Sequence, residues 1–476
     1  RFEARDAVVT DGRVWSYREI DERANQVARV LIGAGVRPGD RIGLLLDRTV
    51  ETYVGLLAVM KAKAAWVPLA TAFPAERIAY ILEDAAISMV VSISLFEARL
   101  VEFDLPVVLL DRIEDRIAAE AATPLGPQEV GQPIDRICYI LYTSGTTGNP
   151  KGVVIEHPSI CNFVRVAAEC YGYRSDDRVY QGMTIAFDFS VEEIWVPFMA
   201  GSAIVPGPAG MTLLGEELAE FLRSRRITCM ACSPTLLSTI ESDVPLLRIL
   251  LVGGEACPQN LVVRWYRAGR RILNSYGPTE ATVTATLTEL TPDKAVTIGT
   301  PLPSYAVVIL DPTEPKLVAA GEQGEIGLAG ICLAVGYLNR PDLTAAKFIP
   351  DFVGIPHNPS ARIYRTGDLG TINEDGEVEY QGRIDTQVKI RGHRIELGEI
   401  EAVLLDQPMI HQAAVTTFEP EPGNVQLVGY FAVKSGMAAP SRLDLVHALK
   451  ARLPDYMVPA YLEPLDVIPM TVSNKA

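Results

Sequence analysis

Short apolar runs alternate with amphipathic stretches along most of this chain, and that alternation restricts it to layered α/β folds. Residues 17–31 carry apolar side chains at helical spacing, with Ser16 placed as the N-cap. Residues 41–46 read as a strand, 50–61 as a buried helix, and 89–92 and 106–110 as further strands. The rhythm returns between about residues 178 and 275, where 227–232 and 248–252 read as buried strands, the second running into Gly253-Gly254-Glu255. After residue 300 the strands shorten and Gly, Pro and Asp turns separate them, as at 324–328 and 376–380, which predicts a β-rich lobe. Residues 387–476 return to an α+β mixture, with strands at 387–390 and 425–433 and helices at 396–406 and 441–452. The expectation is an α/β protein with a large N-terminal core of two α/β subdomains plus a β-rich lobe, followed by a small α+β C-terminal subdomain.

Length and charge narrow the function. At 476 residues the chain exceeds one ordinary core and suggests about three structural units. Hydrophobic content of 48% supplies apolar material for folded domains. A formal charge of −16 argues against a nucleic-acid partner, because phosphate backbones are held by net basic surfaces. Cys229-Met230-Ala231-Cys232 is formally a CxxC, but it lies in an apolar segment with no second pair, so buried thiols are expected rather than zinc or redox chemistry. Seven cysteines without framework spacing or a signal peptide suit a reducing cytoplasm. No apolar run approaches the roughly twenty residues of a membrane span. Beginning at Arg1 and stopping after Lys475-Ala476, the chain is expected to be a piece of a longer protein.

The chemistry is densest at Tyr142-Thr143-Ser144-Gly145-Thr146-Thr147-Gly148-Asn149-Pro150-Lys151-Gly152. An apolar run at 137–142 leads in as a strand. Gly145 and Gly148 permit tight turns that aim amide N–H groups at an anion, the hydroxyls add neutral donors, and Lys151 adds a positive charge. This is the composition of a polyphosphate cradle. A plain polar surface loop is the alternative. The Walker P-loop is excluded by spacing, since Lys151 follows Pro150 and precedes Gly152.

Taken with later motifs, the loop resembles the adenylate-forming superfamily, and most closely the amino-acid adenylation domains of nonribosomal peptide synthetases. Trp15-Ser16-Tyr17-Arg18-Glu19-Ile20 and the stretch from Met60-Lys61-Ala62 to Trp66-Val67-Pro68-Leu69 look like the opening motifs. Asn274-Ser275-Tyr276-Gly277-Pro278-Thr279-Glu280 matches the nucleotide motif, and Gly336-Tyr337-Leu338-Asn339-Arg340-Pro341 the next. Tyr364-Arg365-Thr366-Gly367-Asp368-Leu369 and Gly382-Arg383-Ile384-Asp385 through Gly392 follow in order. The resemblance implies an adenylation core over 1–384 and a mobile C-terminal subdomain over 385–476, swinging about a hinge at Asp385.

The resemblance also implies roles. ATP would be bound by Thr143, Ser144, Gly145, Thr146, Thr147, Gly148, Lys151, Gly254, Asn274, Ser275, Tyr276, Gly277, Thr279, Asp368, Tyr380 and Arg383. Glu280 is a hard oxygen ligand suited to Mg²⁺, although a solvated turn carboxylate is the plain alternative. Lys475, with Lys151 and Glu280, forms the implied catalytic set. Lys475 closes Pro469-Met470-Thr471-Val472-Ser473-Asn474-Lys475, which has Ser and Asn where the family has Asn and Gly. The implied partners are an amino-acid substrate and a carrier domain bearing a phosphopantetheine thiol, with a small accessory protein a further candidate. Neither nucleic acid nor membrane is expected.

Asp188 aligns with the aspartate that pairs with a substrate α-ammonium, a strong charge-assisted contact. The implied pocket comprises Asp188, Phe189, Glu192, Ala231, Leu251, Gly253, Ser275, Val283 and Thr284, with Lys475 as the tenth contact. An acid in an apolar pocket is costly unless paired, and Gly253, Ala231 and Ser275 are expected to leave depth for a long side chain, so Glu192 predicts a basic substrate such as lysine, ornithine or arginine. Two alternatives stay open: Glu192 turning away to bond locally, and Glu193 being the inward residue. An acyl- or aryl-CoA ligase of the same fold and a non-catalytic nucleotide-binding module are the competing functions.

Overall fold

β-Branched and leucine-rich runs bounded by Gly and Pro make the strands, because branched side chains pack well on a pleated surface. The computed structural model describes residues 2–10, 12–145, 148–390, 392–420, 425–434 and 436–468. The chain divides into two units: one of Arg1–Thr71, Asp84–Leu141 and Gly152–Ile384, the other of Ala72–Glu83, Tyr142–Lys151 and the chain from Asp385 on.

The first unit is built around three sheets. One has nine strands, in the order Thr300–Pro301, Thr286–Glu289, Arg271–Tyr276, Ile249–Gly253, Cys229–Cys232, Arg178–Gln181, Ala203–Pro206, Asp6–Val9, Val14–Ser16. Its six central strands pair parallel and its margins antiparallel. Parallel strands buried on both faces read as continuous apolar runs, and Ile249–Gly253 is buried at every position. A second sheet has seven strands, running from Gly336–Tyr337 through Lys151–Glu156, Ile137–Thr143, Ala65–Pro68, Arg41–Leu45 and Met89–Ser92 to Val107–Leu109. The third is a five-stranded antiparallel sheet centred on Gly324–Gly330 and Arg362–Ile372, the β-rich lobe expected after residue 300.

Helices form where the pattern predicts. Tyr17–Gly33 opens with a capping box: Ser16 Oγ accepts from the Glu19 N–H and Glu19 Oε2 accepts from the Ser16 N–H at 2.7 Å. Val50–Lys61 is a helix buried along most of its length. In the second unit the helices Leu397–Leu405 and Arg442–Arg452 accompany a three-stranded sheet of Ile410–Phe418, Gln426–Val433 and Tyr461–Pro464, and Val388–Ile390 pairs His393–Ile395 as a hairpin. Ile400, Val403, Leu404, Phe431, Leu445 and Leu449 form its core.

Cys229 and Cys232 are buried free thiols, as expected, whereas Cys161 is exposed and Cys170 half-buried. Among the described residues no group of three or more His, Cys, Asp or Glu is placed to hold a metal, and no helix is long and apolar enough to cross a membrane.

Candidate active site

The helix Phe189–Ala200 starts immediately after Asp188 and is buried on most sides. Asp188 and Glu192 are four residues apart, so they rise from one face of its first turn. Thr279 Oγ1 donates to Asp188 Oδ2 at 2.5 Å, joining this turn to the loop that follows the strand Arg271–Tyr276. Glu192 is fully buried, and its Oε1 accepts from Tyr171 Oη at 2.8 Å and from Thr284 Oγ1. Its Oε2 has no hydrogen-bond partner among the described residues. Burial pushes the Glu192 carboxyl up to about 8, against the pull of the Thr284 and Tyr171 hydroxyls.

Glu193 is equally buried but differently used. It accepts from the Gly182 and Met183 N–H groups and from Gln181 Nε2, pinning the turn that leads to Asp188. Burial pushes it up to about 7. Glu192 is therefore the carboxyl beside Thr284, and Glu193 is a structural anchor. The local bonding considered as an alternative for Glu192 accounts for one of its oxygens only.

The rest of the expected pocket is mostly apolar, with Ser275 its polar member. Phe189, Ala231, Leu251, Ser275 and Val283 are all buried. At Gly253 a Cβ would lie 2.5 Å from Ser275 Oγ and 3.4 Å from Phe189 Cζ, so those side chains already fill the space on that side and the depth expected from Gly253 is not found there. Gly277 is needed for close backbone approach: a Cβ there would lie 2.3 Å from the Val283 carbonyl oxygen and 2.7 Å from the Ala285 nitrogen. Thr282 and Val283 both hold left-handed backbone, at φ 55° and 71°, which is strained for β-branched residues. Thr282 Oγ1 anchors the run by donating to the Cys332 carbonyl at 2.6 Å.

The nucleotide-motif residues of the first unit form a second cluster. Tyr276 Oη donates to Asp368 Oδ2 at 2.6 Å, and Arg383 pairs with Asp368 Oδ1. Burial, then the Asp368 charge, raises the Tyr276 phenol well above its ordinary value. Glu280 is fully buried and accepts from Tyr337 Oη at 2.7 Å. With no group of three or more metal-ligating side chains among the described residues, Glu280 is the kind of single carboxylate that holds Mg²⁺ jointly with substrate phosphates. Asn274 commits its amide to the Thr297 carbonyl at 2.7 Å, Gly254 is left-handed at φ 79°, and Tyr380 lies on the strand Val378–Arg383.

The expected phosphate loop belongs to the second unit. Its turn is tight enough that a Cβ at Gly145 would lie 2.1 Å from the Asn149 carbonyl oxygen, and Gly148 is left-handed at φ 84°. Thr143 Oγ1 is buried with no partner among the described residues, and Lys151 is buried. The Gly145 N–H donates at 3.0 Å to Glu399 Oε2, and Ser144 Oγ donates to the Arg394 carbonyl at 2.8 Å. The Gly145 amide and the Ser144 hydroxyl, both expected as phosphate donors, are thus committed to protein acceptors within the second unit. Glu399 is also paired with Arg77 at 2.8 Å, both almost fully buried. Asp385 Oδ1, where the second unit resumes, accepts from the Gln387 N–H at 3.3 Å. Thr146, Thr147 and Lys475 lie outside the described residues.

Tyr171, Arg77, Glu399 and Tyr337 were not expected. Tyr171 ends the helix His157–Tyr171, ahead of a left-handed Gly172, and nothing in its local sequence points to a partner 21 residues away. Arg77 and Glu399 are 322 residues apart.

Comparison with known proteins identifies the family. The family model for AMP-binding enzymes matches residues 1–338, and that for the AMP-binding enzyme C-terminal domain matches residues 399–475. Novobiocin biosynthesis protein H of Streptomyces niveus is 40% identical over 98% of this chain and 78% of its own length. Delta-poly-L-ornithine synthetase of Acinetobacter baumannii is 41% identical over 98% of this chain but 35% of its own length. Phosphinothricin tripeptide synthetase PhsC of Streptomyces viridochromogenes is 41% identical, and this chain spans 43% of it. An artificially fused adenylation-PCP di-domain nonribosomal peptide synthetase from Klebsiella oxytoca superposes with a TM-score of 0.83 at 27% identity, covering 97% of this chain and 91% of that one. The chain belongs to the AMP-binding enzyme family of adenylate-forming ligases, as an adenylation domain of the nonribosomal peptide synthetase kind.

Proposed function

We propose that this domain activates an amino acid with a cationic side chain as its aminoacyl-adenylate and passes it to a carrier-domain thiol. The observation that carries the reading is the pair Asp188 and Glu192 on one helical turn, the second fully buried with one oxygen unpartnered among the described residues. Asp188 would take the α-ammonium and Glu192 the side-chain cation. The ornithine in the name of one relative is in line with a basic substrate.

In the first half-reaction a substrate carboxylate oxygen attacks the α-phosphorus of ATP, the bond to the β-phosphate oxygen breaks, and pyrophosphate leaves. Both reactants are anionic, so orientation and charge neutralisation supply the catalysis. In this reading the 143–151 loop and Lys151 hold the leaving phosphates. Asp368, with Tyr276 and Arg383 around it, receives the ribose. Glu280 would hold Mg²⁺, whose charge would offset that of the phosphates. Lys475 bridges the substrate carboxylate and the nucleotide. The second half-reaction is attack of a phosphopantetheine thiol on the mixed anhydride, with residues 385–476 turning about Asp385 between steps. A reducing cytoplasm suits the free cysteines, and a small accessory protein is a further candidate partner.

ATP–pyrophosphate exchange with a panel of amino, fatty and aryl acids tests the reading. Exchange with lysine, ornithine or arginine is expected. Exchange confined to fatty or aryl acids would instead identify an acyl- or aryl-CoA ligase, and no exchange with any acid a non-catalytic nucleotide-binding module.

A further inference from the structure

Glu192 sits among groups that cannot neutralise it. Its own helix brings Asp188 and Glu193, both of which raise the energy of its charged form. From the helix His157–Tyr171 and the residues after it come Tyr171, which donates to Oε1, and Tyr173. Tyr305, at the start of the strand Tyr305–Leu310, also lies within its electrostatic reach, and Thr284 is the second donor to Oε1. No ion pair among the described residues includes Glu192, and the Tyr173 and Tyr305 hydroxyls themselves lack partners among those residues. A fully buried carboxyl with one oxygen doubly bonded by hydroxyls and the other bare is half a binding site, because leaving that oxygen bare carries its whole desolvation cost.

We infer that Tyr171, outside the expected pocket set, is a positioning residue for substrate selection: with Thr284 it holds Glu192 through Oε1 and leaves Oε2 to accept the side-chain ammonium or guanidinium of the substrate. The inference rests on the amino-acid-adenylation reading and adds how selection is achieved. Two hydroxyl bonds fix the carboxyl's rotamer and stabilise its anionic form, so a cation meets a preoriented acceptor. Without a cation, burial keeps the proton on Glu192. The binding step is then an exchange: the carboxylic O–H proton goes to solvent and the substrate cation takes its place against Oε2. Affinity for a basic substrate therefore rises with pH until Glu192 ionises unaided.

The test is ATP–pyrophosphate exchange by the wild type, Tyr171→Phe and Glu192→Gln, from about pH 6.5 to about pH 9, with basic, amide and aliphatic amino acids. Wild-type KM for the basic substrate should fall as pH rises. Tyr171→Phe should raise that KM about tenfold near neutrality, leave kcat within about twofold, and move the break in the pH profile upward. Glu192→Gln should lose the basic preference and the pH dependence together. Circular dichroism and thermal unfolding establish that the near-isosteric Tyr171→Phe is folded. Basic-substrate exchange that Tyr171→Phe leaves unchanged, or that it weakens equally for aliphatic substrates, overturns the inference alone. Preference for an amide substrate such as glutamine overturns the cationic partner, and exchange only with fatty or aryl acids overturns the underlying reading.

Discussion

Glu192 and Glu193 are adjacent, identical in chemistry and equally buried, yet only Glu193 has both its oxygens engaged, by the turn at 181–183. The difference has a measurable consequence for stability. Burial raises Glu192 from 4.5 to about 8, so the folded state holds a proton that the unfolded chain has already released. Stability from this group is fully present below about pH 4.5 and is lost as pH rises through about 8, a change on the order of 4–5 kcal/mol. Glu192→Gln should therefore flatten the pH dependence of Tm across that window and raise Tm at the alkaline end; a wild-type Tm curve unchanged by the substitution would contradict the assignment. Asp188→Asn should lower kcat/KM for the amino acid about 10- to 100-fold, because a charge-assisted contact becomes a neutral one. Sequence alone left Glu192 and Glu193 unresolved because their helix is buried on most sides, so amphipathic periodicity could not say which one faced the pocket.

Local elements were legible where the cause was local. Ser16 and Glu19 form their box from four consecutive residues, and Ser16→Ala should lower stability by about 1 kcal/mol, read as a drop in Tm with unchanged exchange kinetics. The pocket wall was not legible in this way. The left-handed pair Thr282 and Val283 contradicts the preference of β-branched residues and exists because Thr282 is tied to the Cys332 carbonyl and Gly277 lets the strand end pass beneath. Gly277, read from its motif as part of the nucleotide site, is held by this packing as well. Gly277→Ala should displace the backbone at 283–285, raising KM for the amino acid and lowering Tm together; an unchanged KM would show that the wall tolerates a methyl group.

Over the whole chain, the alternation of strand and helix and the order of the motifs carried the α/β class, the β-rich lobe and the α+β end. They did not carry contacts between residues remote in sequence. The second unit gathers Ala72–Glu83 and the phosphate loop with the chain from Asp385 on, and its buried tie is Glu399, shared between Arg77 and the Gly145 amide. Glu399→Ala would leave Arg77 buried without its partner and should destabilise this unit by about 3–5 kcal/mol, seen as earlier unfolding in denaturant or faster proteolysis. What distinguishes this molecule within its family is the acid it activates. The most direct test is the initial rate of ATP–pyrophosphate exchange across the twenty proteinogenic amino acids and ornithine, with fatty and aryl acids as controls. The structure predicts the fastest exchange with lysine, ornithine or arginine, abolished as a preference by Glu192→Gln. Fastest exchange with a neutral or acidic amino acid, or with an acid lacking an α-amino group, would contradict it.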